Sequence, residues 1–411
     1  MDIATLYRRM TEPQQLPPLD RSVLYAVGAL LLVGCVMVTS ASMAIAVQDK
    51  QSPFHYLIRY VFAMSVGIGL GVLVYRVPLE LWKRAGPWAL VLALLALALV
   101  FIPHLGVERN NATRWINLGF LTFQTAEAAK FLVILWVAAY AANQASALRQ
   151  DWLGVIKPLA AIGLLSLVLL KQPDFGSAAL IGALVVTLLW LAGASTFRLL
   201  TLILLALPFV IHHATAETYR QERLICFLDP YEGDRPRDAC YQLVQAQLGI
   251  SRGGWDGVGL GNGVQKLFFL PEAHTDFIGV VIAEEFGLLG LLSLMALYIV
   301  LVGRAFALGE RAIDRGQLHA AYLAWGVALW FALQALVSIG VNVGALPTKG
   351  LTLPLISSGG SSVMMMLASI GLLLRVSGEV RQPQMDSGRN AARIPVGALS
   401  PVTGYGPGGP R

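Results

Sequence analysis

Charge is what this 411-residue chain has least of: 13% of its residues are Asp, Glu, Lys or Arg, about half the share found in soluble domains. That shortage excludes an ordinary cytosolic enzyme and a solvated disordered scaffold, both of which depend on charged surface. Cysteine is scarce too, with three in the chain, which excludes a disulfide-rich secreted framework. Acidic residues are the rarer sign, leaving a formal charge of +6. The basic residues stand singly between apolar blocks and in the tails, without the dense runs of a nucleic-acid patch. Their expected counter-charge is anionic lipid, with no nucleic acid partner.

What the chain has instead is long apolar blocks, with 56% hydrophobic residues and a mean hydropathy of +0.66. A bilayer core needs about 20 apolar residues in helical form. Ten blocks qualify: 23–46, 54–75, 87–104, 122–142, 157–171, 175–193, 197–214, 277–302, 318–343 and 357–377. The fifth and sixth are short and are parted by Lys171-Gln172-Pro173-Asp174, where the proline ends a helix. Ser40-Ala41-Ser42 resembles a cleavage site, but its block is too long and its polar leader too extended for a signal peptide. An uncleaved anchor is expected.

The fold class is therefore an all-α polytopic membrane protein with ten transmembrane helices. It divides into a cytoplasmic tail over 1–22, a membrane domain over 23–377 and a disordered cytoplasmic tail over 378–411. An even number of spans puts both termini on one side. Lys and Arg of the tails and of the loops near 80, 150, 196 and 310 outweigh those opposite, once the long loop of about 215–276 is discounted. By the positive-inside rule both termini are cytoplasmic and the long loop faces outward. There is no repeat of fixed period and no inverted pair of broken helices of the transporter kind.

Several stretches carry more chemistry than a span needs. In Pro271-Glu272-Ala273-His274-Thr275-Asp276-Phe277 the long loop enters a span. Helix capping by Thr275, with Asp276 in the first turn, would suffice to explain it. The alternative is a carboxylate held at the outer membrane surface. Glu127 and Lys130 lie three apart in the fourth block and can pair on one helix face, structurally or at a site. Arg59, Glu284 and Glu285 also lie within spans, where a charge is expected to face the bundle interior and mark function.

Asp174 sits on a tight outward turn, and turn capping alone could account for it. Arg114 and Trp115 precede the fourth block, where the Trp could be an interface anchor or could hold a lipid or sugar beside the Arg. Leu346 to Ser362 contains Pro347 and Pro354 in an otherwise apolar stretch, and irregular backbone at membrane depth must be buried or line a cavity. A re-entrant loop over about 344–356 is expected, presenting Lys349 near the other outward charges. The glycine run Gly257 to Gly263 lacks the Walker lysine and a preceding strand, so it reads as a surface loop resting on the bilayer. Cys226 and Cys240 share the long loop and could pair if it faces an oxidising compartment.

Taken together these stretches resemble the SEDS family (shape, elongation, division and sporulation) of bacterial peptidoglycan polymerases. The matching segments are Arg114-Trp115, Gln124 to Lys130, Gln172 to Gly176, Tyr241-Gln242-Leu243-Val244-Gln245, Gly257 to Phe277 and Leu346 to Ser362, in the family's order. Thr348-Lys349-Gly350-Leu351-Thr352 resembles the division branch more than the elongation branch. Ser358 stands where the family usually has Tyr, Cys226 and Cys240 are outside its pattern, and 229–239 is more charged than that pattern.

The resemblance implies a ten-span, GT-C-like bundle with one long extracytoplasmic loop. It implies extension of glycan strands from lipid II during septal cell-wall synthesis, with inversion at the anomeric carbon. A pyrophosphate leaving group needs little protonation, so one general base and several cations should suffice. Asp276 takes the place of the family's catalytic aspartate. Lys349, Arg114 and Lys130 are implied pyrophosphate or headgroup contacts, Glu127 orients Lys130, Trp115 contacts lipid or sugar, and Asp174 organises the cavity rim. His274, in the Asp276 motif, joins the substrate-binding set. The resemblance assigns no definite cofactor; a divalent cation (Mg2+ or Mn2+) could replace one lysine, although no ligand spacing argues for it. The implied partners are lipid II, the growing lipid-linked strand, a class B penicillin-binding transpeptidase and other divisome membrane proteins. The rival readings are a lipid II flippase and another lipid-pyrophosphate glycosyltransferase such as an O-antigen ligase.

Overall fold

The computed structural model describes residues 18–109, 112–117, 119, 122–231 and 240–381. The tail residues 1–17 and 382–411, including the stretch expected to be disordered, lie outside the described residues.

Ten apolar helices form the bundle. They are α1 (Arg21–Gln48), α2 (His55–Arg76), α3 (Leu79–Ala98), α4 (Thr125–Asn143), α6 (Trp152–Lys171), α7 (Phe175–Leu191), α8 (Thr196–Thr215), α11 (Ile278–Asp314), α12 (Leu318–Asn342) and α13 (Gly360–Arg381). The short α5 (Ala145–Gln150) links α4 to α6, and α9 (Thr218–Leu228) and α10 (Tyr241–Gly253) lie in the long loop. Among the described residues nine helices are long and apolar enough to cross a membrane, and α7 is a shorter apolar helix. The chain is a multi-pass membrane protein.

Helix ends follow local chemistry. Asp20 caps α1 by accepting from the backbone N–H groups of Ser22 and Val23. Its other oxygen pairs with Arg304 of α11 at 2.7 Å and Arg381 of α13 at 2.5 Å, tying three helix ends together. Burial opposes ionisation of Asp20, but the Arg304 hydrogen bond and charge, the Val23 N–H and the Arg381 charge hold its carboxyl below the usual value. The third span begins at Leu79, before the expected Pro87. Its first turns are polar, and Glu80 and Arg84 pair there at 3.2 Å, so low hydropathy hid a continuous helix that tolerates Pro87 within it.

Three differences from the sequence reading matter. First, the loop before α4 is an antiparallel sheet, β1 (Gly106–Arg109), β2 (Ala112–Asn117) and β3 (Thr122–Gln124), in the order β1-β2-β3. Its strands are too short and polar to show alternation. Second, α11 is broken at Gly287 (φ 68°, ψ −166°), a conformation that favours glycine. The backbone of the Gly254–Gly259 stretch bonds into this break, while Trp255 and Leu260 stay exposed, as expected of a surface loop. The N–H groups of Val258 and Gly259 donate to the carbonyls of Glu284 and Glu285 at 2.9 and 3.0 Å, and Leu288 donates to Gly254 at 2.9 Å.

Third, the side chains of Glu284 and Glu285 fasten the segment that follows, Val264 to Lys266. Glu284 accepts from the N–H groups of Val264 and Gln265 at 2.9 and 3.1 Å and approaches Arg252 at 3.4 Å. Glu285 pairs with Lys266 at 2.5 Å and accepts from Ser40 of α1 at 2.8 Å. These carboxylates are buried but committed to structure, whereas Arg59, expected to face the interior, is exposed on α2.

Between α12 and α13 the chain has no regular helix, yet Leu351, Leu353, Leu355 and Ile356 are buried. The Tyr298 hydroxyl donates to the Pro354 carbonyl at 2.5 Å, and the Tyr60 hydroxyl donates to that of Leu355. Such pairing is what irregular backbone inside a helical bundle requires.

Candidate functional site

Asp276 lies two residues before α11, outside the helix it was expected to begin. The residue at the cap position is Phe277, with no side-chain cap bond. The Thr275 hydroxyl instead donates to the Glu272 carboxylate at 2.6 Å. Helix capping therefore does not account for Thr275 and Asp276.

Three successive carbonyls fix the backbone around Asp276. Ser358 donates to His274 O through both its N–H at 3.1 Å and its hydroxyl at 2.9 Å. The Ser357 hydroxyl donates to Thr275 O at 2.5 Å. Asn342 donates to Asp276 O at 2.9 Å while accepting from Val280 N at 3.0 Å. The α12 terminus and the loop before α13 thus hold the segment that carries the carboxylate. Ser358 is one of these clamps.

The Asp276 carboxylate faces the Thr348–Thr352 motif. A Cβ placed on Gly350 would sit 3.0 Å from Asp276 Oδ2, so glycine leaves the carboxylate room at this point. Burial, followed by the like charge of Glu272, pushes the Asp276 pKa up to about 7, and the charges of Arg223 and Arg114 act in the opposite direction. A half-buried carboxylate poised near neutrality, with cations around it, is suited to general-base work.

The cations come from separate elements. Arg114, on β2, donates to Gln172 O at 3.4 Å and to Pro173 O at 2.5 Å. Arg223, on α9, donates to Thr348 O at 3.1 Å. Lys349 places its ammonium 4.0 Å from the ring centroid of Phe175, the first residue of α7, a contact that orients the charge without neutralising it. Asp174 caps α7 through one oxygen, accepting from Ser177 N at 3.1 Å. Its other oxygen is buried and unbonded, which leaves one acceptor for a hydroxyl or a cation at the rim.

His274 stacks near Tyr56 with ring centroids 4.6 Å apart. Burial lowers its pKa, opposed by the nearby charges of Glu272 and Asp49, so the ring is neutral near pH 7. Its Nδ1 is buried without a hydrogen-bond partner. Trp115 follows Arg114 on β2, opposite Gln124 of β3, and strand alternation turns it to the other face of the sheet.

Lys130 and Glu127 are placed differently from the expected substrate contact. Lys130 is fully buried, 2.8 Å from Glu127 and 2.9 Å from Gln334, with Trp330 beneath it. Gln334 donates on to Thr352 O at 3.0 Å. The pair therefore stands behind the motif loop and reaches the site through Gln334 and Thr352. Among the described residues no group of three His, Cys, Asp or Glu side chains converges as a metal set.

Sequence reasoning missed Arg223, Glu272, Asn342 and Gln334. Gln334 and Asn342 left a usable signal, as lone amides within an apolar span. Arg223 left none, being one of several arginines in a long polar loop.

This geometry can be set beside known proteins. A family model for cell cycle proteins of the FtsW, RodA and SpoVE group matches residues 21–382. The chain belongs to that family. The Coxiella burnetii protein named "Probable peptidoglycan glycosyltransferase FtsW" is 44% identical over 351 residues, which cover 85% of this chain and 94% of that protein.

Two solved family structures are also similar. One chain, from "Structural coordination of polymerization and crosslinking by a peptidoglycan synthase complex", superposes with a TM-score of 0.70 at 30% identity, covering 89% of this chain and 99% of its own. The Thermus thermophilus rod shape determining protein RodA superposes with a TM-score of 0.62 at 28% identity, covering 89% of this chain and 98% of its own.

Proposed function

We propose that this protein is an inverting peptidoglycan glycosyltransferase of the FtsW type, polymerising lipid II into β-1,4-linked glycan strands for septal cell-wall synthesis. The observation that carries the reading is Asp276: a carboxylate pushed to a pKa of about 7, clamped by three backbone hydrogen-bond sets and acted on by the charges of Arg223 and Arg114.

The 4-hydroxyl of an acceptor N-acetylglucosamine attacks the anomeric carbon of the lipid-pyrophosphate-linked donor. Asp276 takes the hydroxyl proton as the new C–O bond forms. The bond to pyrophosphate breaks, and its electron pair leaves on the pyrophosphate, where Lys349, Arg223 and Arg114 balance the charge. Attack opposite the leaving group turns an α-linked donor into a β product. Asp174 and the neutral His274 line the rim that positions sugar hydroxyls, and Trp115, on the sheet face opposite Arg114, offers its ring to lipid. Lys130 and Glu127 act indirectly, bracing Thr352 through Gln334. A divalent cation on the pyrophosphate would share the charge-balancing role, with the free oxygen of Asp174 as a ligand.

In this reading the Asp276 end of the bundle faces outward and both termini are cytoplasmic, in keeping with the distribution of Lys and Arg. Localisation to the septum and partnership with divisome proteins follow from the family's division branch. A class B penicillin-binding transpeptidase partner is supported by the likeness to a chain of a complex that coordinates polymerisation and crosslinking.

The test is strand synthesis by purified protein with its transpeptidase, using lipid II as substrate and a β-lactam to block crosslinking. Wild type is expected to make long strands, and folded Asp276→Ala and Asp276→Asn none. Strands from all three would remove Asp276 as the base. No strands from wild type, with lipid II crossing liposomes that contain it, would favour a flippase.

A further inference from the structure

The disulfide between Cys226 and Cys240 lies one helical turn from a cation of the site. Its two halves are held very unequally. α10 buries Leu243, Val244, Ala246, Gly249 and Gly253, with Gly253 against the backbone of α11. α9 has no such face: among its described residues Cys226 alone is buried, in a small cluster with Cys240 and Val244. Arg223 precedes Cys226 by three positions and so shares its helix face. From there it donates to Thr348 O at 3.1 Å.

We infer that the Cys226–Cys240 disulfide is a positioning device for the polymerase reaction: it pins α9 to α10 so that Arg223 is held against the Thr348 carbonyl beside Asp276. The inference rests on the proposed polymerase reading for its activity assay, though not for its structural one. Arg223 contributes two things from this position. Its hydrogen bond fixes the backbone next to Lys349 and Gly350, and its charge faces the pyrophosphate leaving group. Both depend on α9 lying where the disulfide holds it.

Forming the bond takes two electrons and two protons from the two thiols. A disulfide-donating thiol oxidase of the outer compartment accepts them and leaves as a dithiol. A thiolate first attacks the donor's sulfur, and the second cysteine then displaces the donor from the mixed disulfide. Enzyme newly inserted in the membrane would therefore gain full activity only after oxidation, and a reducing environment would leave it slow.

The experiment compares oxidised wild type, wild type reduced by a phosphine with both thiols counted by mass spectrometry, Cys226→Ser/Cys240→Ser, Arg223→Ala and Arg223→Lys. Each is checked for a monodisperse folded state. Two readouts are taken: steady-state lipid II polymerisation and backbone hydrogen exchange. Reduction is expected to slow polymerisation about 10- to 100-fold, the range for losing one charged hydrogen bond. The serine double variant should match reduced wild type and no longer respond to phosphine. Arg223→Ala should be equally slow, with reduction adding nothing, and Arg223→Lys should recover part of the rate.

Exchange should rise on reduction in residues 218–228 and 346–352 whether or not the protein polymerises. If oxidised wild type made no strands, the polymerase reading would fail while the exchange data still judged the positioning. Unchanged exchange at 346–352, or a fully reduced wild type as fast as the oxidised one, would overturn the inference. So would reduction slowing Arg223→Ala as much as it slows wild type. Should the serine variant not fold, reduced wild type carries the comparison.

Discussion

The pH dependence of polymerisation tests the site most directly. Asp276 moves from an ordinary 3.8 to about 7, through burial first and the Glu272 charge second, against Arg223 and Arg114. At 1.36 kcal/mol per unit this is roughly 4 kcal/mol of preference for the protonated form. A base must be ionised, so activity falls as pH drops through about 7. Between pH 6 and 8 the ionised fraction of such a group rises about tenfold, whereas an ordinary aspartate would be ionised throughout.

The assay is kcat/KM for lipid II polymerisation in detergent, across about pH 5.5 to 8.5, which reports groups of the free enzyme. Glu272→Gln removes the like charge and should move the acid limb to lower pH, while Arg223→Ala should move it higher. Stability runs the other way. The folded pKa is raised, so the contribution is fully present below the unfolded value near 4 and is lost as pH rises through about 7. Asp276→Asn, which mimics the protonated acid, should melt higher than wild type at pH 8 and alike at pH 4. A flat rate profile, or a limb that ignores both substitutions, would refute the account of Asp276.

Two further outcomes are expected. Lys130→Ala leaves a buried Glu127 and Gln334 without their cation and should cost about 3–5 kcal/mol; the paired change Lys130→Met with Glu127→Leu should cost much less in thermal melts. Gly350→Ala places a methyl 3.0 Å from Asp276 Oδ2. It should lower kcat by about 100-fold with little change in melting, and normal kcat would show that the carboxylate can shift freely.

Much of this was legible in the sequence because a bilayer imposes a one-dimensional code. Ten apolar stretches had to be helices, since no other open structure pairs its backbone in hydrocarbon. Leu346 to Ser362 stood out because two prolines in an apolar run demand a buried, hydrogen-bonded loop, and the chain there is buried and bonded by Tyr298 and Tyr60. Asp276 stood out through its motif, but its surroundings did not. Glu284 and Glu285 read as functional because they are costly in a membrane. Their actual partners, Lys266, Ser40 and the N–H groups at 264 and 265, sit on distant or irregular segments.

The sequence by itself determined how many times the chain crosses the bilayer and which short motifs carry charge, because hydropathy is local and cumulative. Only the tertiary structure decided which charges share a space. Arg223 and Lys130 show why: both are basic residues in or beside spans, yet one reaches Thr348 O from an exposed helix and the other is sealed beneath Gln334. That difference arises from contacts 125 and 204 residues apart in the chain, which local pattern cannot encode and packing alone fixes.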